Sequence, residues 1–151
     1  IRHEVTEESC SYAKQLLKQY GLEKFSHSKP SQLSGGMRQR AALVRTLVLK
    51  PDLLLLDEPF SALDYQTRLS VSNDIGSIIQ KEKKTAILVT HDLAEAVSLA
   101  DRIIILTERP GRIHRIIPVA FPEQLTPMER RDHADFKTYF NLIWKELNHD
   151  V

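Results

Sequence analysis

The sequence predicts an α/β fold in which helices flank a parallel sheet. Three short apolar runs, at 53–56, 86–89 and 103–106, are continuous rather than alternating, which is typical of strands buried on both faces. Segments of helical length lie between these runs, and this order of strand, helix and strand indicates α/β. A chain of 151 residues, 42% hydrophobic and 27% charged, is long enough for one domain with a core.

Two helices are predicted before the first strand. Residues 7–19 carry apolar side chains at helical spacing, and Gly21 follows where a helix often ends. Ser34 is placed to cap a second helix, which should end near Lys50 because Pro51 disfavours helical geometry in the residue before it. The apolar spacing in this second helix predicts one buried stripe, formed by Met37, Ala41, Val44 and Val48.

The rest of the chain continues the alternation. Asp92 and Glu95 occupy the positions of a capping box at the start of one helix, and the Pro110-Gly111 pair predicts a turn. The remaining predicted elements are helices at 65–81, 93–100 and 129–147 and a strand at 113–121.

Charge and composition narrow the class of protein. Lys and Arg number 21 against 20 Asp and Glu, a formal net charge of +1, so bulk electrostatics predicts no nucleic-acid partner. A single cysteine, Cys10, and the lack of a basic-then-apolar leader favour a reducing cytosolic setting. The longest apolar runs have four residues, against about 20 in a membrane helix, so membrane association is expected to go through a partner.

Two carboxylates end the first predicted strand. Asp57 and Glu58 follow the run 53–56, and open α/β sheets bind ligands at the carboxyl ends of their strands. Asp57 is suited to holding Mg²⁺ through a water, and Glu58 to polarising a water for attack on phosphorus. The alternative is a pair of solvated, turn-forming acids, which are common after strands.

Two other groups of residues could bind or act on a ligand. Ser34, Gly35 and Gly36 stand at a predicted helix start, where free amides and the helix dipole favour an anion. A plain capped helix would explain the same residues. His91 lies just beyond the second predicted strand, on the edge where the carboxylates also lie, although a lone histidine there is more often a hydrogen-bonded turn residue.

Together these motifs resemble those of the ATP-binding subunits of ABC transporters, over nearly the whole chain. Residues 33–40, Leu-Ser-Gly-Gly-Met-Arg-Gln-Arg, resemble the ABC signature, and residues 53–58 resemble Walker B with the catalytic glutamate. Residues 61–64 resemble the D-loop, and His91 resembles the switch histidine. Four motifs in the order and spacing of the family leave little room for chance agreement.

The resemblance implies a P-loop NTPase-type parallel sheet and an ATPase activity that uses ATP and Mg²⁺. Asp57 would organise the Mg²⁺. Glu58 would be the general base or water-positioning group. His91 would contact the γ-phosphate of ATP and align the attacking water.

A second group of residues is implied to act on the nucleotide of a partner. Ser34, Gly35 and Gly36 would bind the γ-phosphate of ATP held by a second ATPase subunit, in a head-to-tail dimer. Gln39 would lie near the ribose of that ATP, and Asp64 would lie at the dimer interface.

The resemblance also implies domains and a departure from the family pattern. Residues 1–50 would be part of the helical subdomain, 51–121 part of the RecA-like ATPase core, and 122–151 a C-terminal helical segment. No Gly-x-x-x-x-Gly-Lys phosphate loop (Walker A) and no glutamine-bearing loop occur in the sequence, so the expected sheet is incomplete and lacks the Walker A strand. We therefore expect this chain alone to bind ATP poorly, to hydrolyse none, and to self-associate through unpaired strand edges.

The implied partners are transmembrane permease subunits and a substrate-binding protein, which would place the chain at the cytoplasmic face of the cell membrane. The segment 108–113 and the form of the signature are similar to nitrate, sulfonate and taurine importers. One alternative is a non-transport ABC ATPase acting on DNA or ribosomes, whose coiled-coil insertions and basic patches the sequence lacks. The other is a non-enzymatic fragment that only dimerises.

Overall fold

The computed structural model describes residues 6–148 and confirms the α/β class. Two short 3-10 turns, Glu23–Phe25 and Pro30–Gln32, occupy the polar stretch after the first helix. The helices and strands, in chain order, are α1 (Glu7–Gln19), α2 (Gly35–Leu47), β1 (Leu53–Asp57), α3 (Tyr65–Lys81), β2 (Thr85–Val89), α4 (Leu93–Leu99), β3 (Arg102–Leu106), β4 (Ile113–Pro118), α5 (Pro127–Asp132) and α6 (Ala134–Asn148).

The strands form two small sheets, and the chain divides into two compact units. β1 pairs with β2 in a parallel sheet, with α3 as the crossover, and β3 pairs with β4 in an antiparallel hairpin. Of the described residues, the first unit contains 6–55 together with Pro59–Ile87, and the second contains Leu56–Glu58 together with 88–148. No helix within residues 6–148 combines the length and apolar character needed to span a membrane.

The first unit has its core around α2 and α3. α1 ends as predicted, with Gly21 in the left-handed region at φ +71°, where a side chain would be strained. Helix α2 packs against both α1 and α3. The buried apolar side chains of this unit are Leu16, Tyr20, Leu22, Leu43, Val44, Leu47, Leu54, Phe60, Val71, Ile75 and Ile78.

Two predictions for α2 need correction. The helix ends at Leu47 rather than near Lys50, because Lys50 adopts a left-handed conformation (φ +49°) that cannot continue a right-handed helix. The predicted stripe is fully buried only at Val44. Because α2 packs on two neighbours, it buries a wider and rotated face that comprises Gly36, Leu43, Val44 and Leu47, while Met37, Ala41 and Val48 are half-buried.

The prediction that the strands are buried on both faces is wrong for the described residues. In β3, Ile103 and Ile105 are buried, whereas Ile104 is 54% and Leu106 is 61% exposed. The buried side packs with α4 and α6 in one apolar cluster, and within residues 6–148 no element covers the other side. Ile104 pairs with Ile116 and Leu106 pairs with Ile113, so the hairpin presents one exposed apolar face formed by these four residues.

Besides the unpaired strand edges, we expect this hairpin face to promote self-association of the 151-residue protein, since contiguous exposed apolar surface promotes association. Replacing Ile104 and Ile116 by threonine removes apolar surface and keeps the β-branched side chains that strands favour. Sedimentation equilibrium should then report a lower average mass for the variant than for the wild type. Equal masses at all concentrations would contradict the role of this face.

The second unit ends differently from the prediction. The predicted helix 129–147 is two helices, α5 and α6, because His133 between them has an extended backbone (ψ 144°). The predicted strand 113–121 stops at Pro118, which pairs with the first residue of β3, and one further backbone bond, from Val119 N to Asp101 O (2.9 Å), ends the pairing. α5 is fixed to the end of α4 by buried Arg130, which donates hydrogen bonds to the Ala100 carbonyl (3.2 Å) and to Asp101 Oδ1 (3.4 Å).

Candidate active site at the ends of two strands

β1 delivers its two carboxylates to the end of the strand, as predicted. The leucine run forms a strand because Pro51 and Pro59 leave no room for a helix. Asp57 is exposed, and Glu58 N donates a hydrogen bond to Val89 O (2.9 Å), which extends the pairing with β2 past the last residue of β1.

The backbone of Glu58 is strained. Its φ of +44° lies in the left-handed region, which is uncommon for residues with a Cβ. Such conformations cost on the order of 1–3 kcal/mol and cluster at functional sites, where the surroundings hold them in place. A glycine is the usual sign in a sequence of a left-handed backbone. Position 58 is a glutamate, so the sequence alone does not reveal this conformation.

Glu58 and His91 are brought together by the ends of β1 and β2. Glu58 Oε1 accepts a hydrogen bond from His91 N (3.1 Å) and lies 2.7 Å from His91 Nδ1. An ionised carboxylate only accepts, so Nδ1 carries the proton in this pair. The His91 side chain is 76% exposed and that of Glu58 is 34% exposed, so a ligand can reach both. The bond to Glu58 and the negative charge of Glu58 raise the pKa of His91 above its usual value of 6.5.

The titration of His91 tests this pairing. We expect NMR of the 151-residue protein to give His91 a pKa above 6.5, and expect Glu58→Gln to bring that pKa back toward 6.5. Because the folded-state pKa is raised, the contribution to stability is fully present below pH 6.5 and is lost as the pH rises through the folded pKa.

Glu108→Gln is the matched control, since it removes the same charge from an exposed glutamate in the β3–β4 turn. It should leave the pKa of His91 unchanged. An equal shift in both variants would mean that net charge, and not the contact with Glu58, sets the pKa.

The residues directly before and after His91 both make hydrogen bonds that fix the turn. Asp92 caps α4 as predicted, with Oδ1 accepting from Ala94 N (2.8 Å) and Glu95 N (3.1 Å). The other half of the predicted capping box is relayed through Thr90. Asp92 N donates to Thr90 Oγ1 (3.0 Å), and Thr90 Oγ1 donates to Glu95 Oε2 (2.8 Å). No role was predicted for Thr90, and Glu95 was predicted only as part of a helix cap.

The signature-like residues form the start of α2, where they pack closely against their neighbours. Ser34 is the predicted N-cap, and its Oγ accepts from Met37 N (3.2 Å). A Cβ on Gly35 would lie 2.8 Å from Leu63 Cδ2, and a Cβ on Gly36 would lie 2.8 Å from Val71 Cγ2. Close packing is therefore one reason for glycine at these two positions, in addition to the predicted ligand binding.

Two other predicted site residues lie near this helix start. Asp64 follows Leu63 and caps α3, with Oδ1 accepting from Thr67 N (3.0 Å). Hydrogen bonds from the side chain and the backbone of Thr67 lower the pKa of Asp64. Gln39 is half-buried in the second turn of α2. The next residue, Arg40, pairs with Asp74 on α3 at 3.5 Å, which holds the two helices together.

Asp57 is the residue that could hold a metal. Residues 6–148 contain no group of three or more His, Cys, Asp or Glu side chains arranged to bind one. Mg²⁺ in nucleotide sites usually takes one or two carboxylates and completes its shell with phosphate oxygens and waters. An exposed carboxylate at a strand end fits that donor set, and a cage made of protein side chains alone is not needed.

Comparison with known proteins points to one family. The protein-family model described as ABC transporter matches residues 2–61. The chain is 48% identical over 151 residues to the uncharacterized ABC transporter ATP-binding protein YtlC of Bacillus subtilis (strain 168), covering 98% of this chain and 57% of that protein. It is 55% identical over 93 residues to the aliphatic sulfonates import ATP-binding protein SsuB of Bacillus licheniformis, covering 62% of this chain and 36% of that protein.

Solved structures agree on the fold. The ATP-binding cassette MJ0796, a dimeric structure of a post-hydrolysis state bound to ADP and Pi, matches with a TM-score of 0.57 and 33% identity over 80% of this chain and 52% of that one. A putative metal-chelate type ABC transporter in an inward-facing conformation matches with a TM-score of 0.64 and 22% identity over 76% of this chain and 45% of that one.

These matches confirm the predicted fold class and the predicted family. The chain spans about half the length of the curated relatives it matches, with 57% of YtlC and 36% of SsuB covered. On these sequence matches, which cover nearly the whole of this chain, the chain belongs to the ABC transporter ATP-binding proteins.

Proposed function

We propose that this chain supplies the hydrolytic residues of an ATPase subunit that energises an ABC transporter. The observation that carries the proposal is the hydrogen-bonded pair of Glu58 and His91 at the ends of two neighbouring strands, with Asp57 beside it. A solvated acid in an ordinary turn would need neither the strained backbone of Glu58 nor a histidine held by two bonds to one carboxylate oxygen.

The two side chains would divide the work on the attacking water. Ionised Glu58 would accept the proton of a water that attacks the γ-phosphorus of ATP, while the bond from that phosphorus to the β–γ bridging oxygen breaks and ADP leaves. With Nδ1 committed to Glu58, a protonated His91 would present Nε2–H as a donor to a phosphate oxygen. The raised pKa of His91 favours that charged form, in which both ring nitrogens donate.

Asp57 would hold Mg²⁺ next to the reacting phosphate. The bound cation would neutralise charge on the phosphate oxygens of ATP. The place of Asp57, exposed and directly before Glu58, supports this assignment.

The start of α2 would serve the nucleotide of a second ATPase subunit. Ser34 and the amides of Gly35 and Gly36 would meet its γ-phosphate, as helix N-termini favour anions. Gln39 would lie near the ribose, and Asp64 would lie at the dimer interface. The dimeric state of the related cassette MJ0796 supports this proposal.

We place the transporter among importers of the nitrate, sulfonate and taurine type. The segment 108–113 behind that assignment covers most of the β3–β4 turn and the first residue of β4. In this turn Thr107 N donates to Arg112 O (2.9 Å) and Arg112 N donates to Thr107 Oγ1 (3.0 Å). The similarity to a sulfonate import protein supports it. This assignment would give the chain transmembrane permease subunits and a substrate-binding protein as partners. It would place the chain at the cytoplasmic face of the membrane. Dimer closure on ATP and reopening after hydrolysis would drive the permease.

The test uses the full-length protein, because the 151-residue chain alone is expected to hydrolyse no ATP. We expect ATP hydrolysis by the full-length protein and co-purification with its permease subunits. Hydrolysis stimulated by DNA, with salt-dependent DNA retention, would favour the non-transport ATPase instead. A full-length protein that dimerises without hydrolysing ATP would favour the non-enzymatic alternative.

A further inference from the structure

The turn that carries His91 is tied to a buried carboxylate that the proposed chemistry does not use. Glu95 is 3% exposed, in the first turn of α4. Burying a carboxylate is costly unless the group is hydrogen-bonded, so an interior glutamate needs bonding partners. One of them is Thr90, the residue directly before His91, whose hydroxyl donates to Glu95 Oε2 at 2.8 Å.

The Thr90 hydroxyl has a fixed direction. A hydroxyl has one proton to donate, and here that proton goes to Glu95. The oxygen is thereby left to accept from Asp92 N at 3.0 Å, on the far side of His91. Hydrogen bonds among Glu95, Thr90 and Asp92 thus connect the residues on both sides of His91 to the start of α4.

His91 itself is almost free of packing. Its side chain is 76% exposed, so neighbouring side chains do little to set the orientation of its ring. Its position relative to Glu58 depends on the backbone of the turn, because His91 N and Nδ1 both reach the same carboxylate oxygen. A turn that could relax would change both distances together.

We propose that Thr90 and Glu95 are positioning residues that hold the backbone of His91 where its N and Nδ1 both meet Glu58. The inference rests on the proposed ATPase function for its catalytic consequence, and on the hydrogen bonds alone for its structural one. Both residues would act on the reaction through this turn, by the position they give to His91.

Two matched pairs of variants test the inference in the full-length protein. Thr90→Val keeps the shape of the side chain and removes the hydroxyl, whereas Thr90→Ser keeps the hydroxyl. Glu95→Ala removes the acceptor, whereas Glu95→Gln keeps an oxygen that can accept from Thr90. We expect Thr90→Val and Glu95→Ala to lower kcat by about 10²-fold with KM for ATP nearly unchanged, and the conservative variants to recover most of the activity.

A second measurement does not depend on ATP hydrolysis. In the 151-residue protein, Thr90→Val should lower the pKa of His91 toward the value in Glu58→Gln, while Thr90→Ser should keep it near wild type. If the full-length wild type hydrolyses no ATP, the proposed function fails while this result still decides the inference. If Thr90→Val lowers the melting temperature but leaves both kcat and the His91 pKa as in wild type, Thr90 only stabilises α4 and the inference is overturned.

Discussion

In the full-length protein, Glu58→Gln is expected to lower kcat for ATP hydrolysis by about 10³-fold, within the range typical for loss of a general base. The amide keeps the size of the side chain and an oxygen that can accept from His91 N, so the turn should hold. It cannot take up the proton of the attacking water. Because ATP binding does not need that proton transfer, KM should change little, and steady-state kinetics separates the two effects.

Glu108→Gln is again the matched control and should hydrolyse ATP at the wild-type rate. Glu58→Asp keeps a carboxylate but shortens its reach, so it should fall between wild type and Glu58→Gln. A Glu58→Gln protein with more than about a tenth of wild-type kcat would show that Glu58 only positions the water, since general bases contribute about 10² or more. Activity equal to wild type would remove Glu58 from the mechanism.

Most of the helices and strands could be predicted from the sequence. α1 and α3 have the predicted bounds, and β1, β2 and β3 lie where continuous apolar runs of four residues lie. Local rules determine these elements, since N-caps such as Ser34 and Asp64 and breakers such as Pro51 and Pro59 act over a few residues.

What the sequence did not reveal depends on tertiary context. The buried face of α2 is set by its two packing partners, and the break between α5 and α6 at His133 has no proline or glycine to announce it. The exposure of Ile104 and Leu106 could not be predicted from a continuous apolar run, which indicates a strand but does not say how many sides of it are covered.

The candidate site was also predictable only in part from the sequence. The ends of the predicted strands pointed to Asp57, Glu58 and His91, and the resemblance gave each a role; the structure adds that Glu58 and His91 share a hydrogen bond. The left-handed backbone of Glu58 and the relay from Thr90 to Glu95 involve conformations and distances that composition and spacing do not encode. A buried glutamate four residues after the histidine becomes informative only when its burial is known.

Gly36→Ala is expected to destabilise the 151-residue protein by roughly 1–2 kcal/mol. The added Cβ would lie 2.8 Å from Val71 Cγ2, a contact too close for real structures to keep. Val71 is β-branched and 3% exposed, so it has little freedom to move away. Overpacking of this kind costs about 1–3 kcal/mol, and the better helix propensity of alanine offsets at most about 1 kcal/mol of it. Thermal unfolding should show a fall of roughly 2–4 °C for each kcal/mol in a chain of this size.

Gly35→Ala is the matched control, because its new Cβ would meet Leu63 Cδ2, the end of a longer and more flexible side chain, at the same 2.8 Å. It should cost less than Gly36→Ala. Combining Gly36→Ala with Val71→Ala removes the methyl group that clashes, so the double variant should be more stable than the sum of the single effects predicts, by about 0.5 kcal/mol or more. Strict additivity would mean that the start of α2 moves away from α3 to admit the new methyl group. The closeness of Gly36 to Val71 would then not be what requires glycine at this position, and ligand binding would remain as the reason for it.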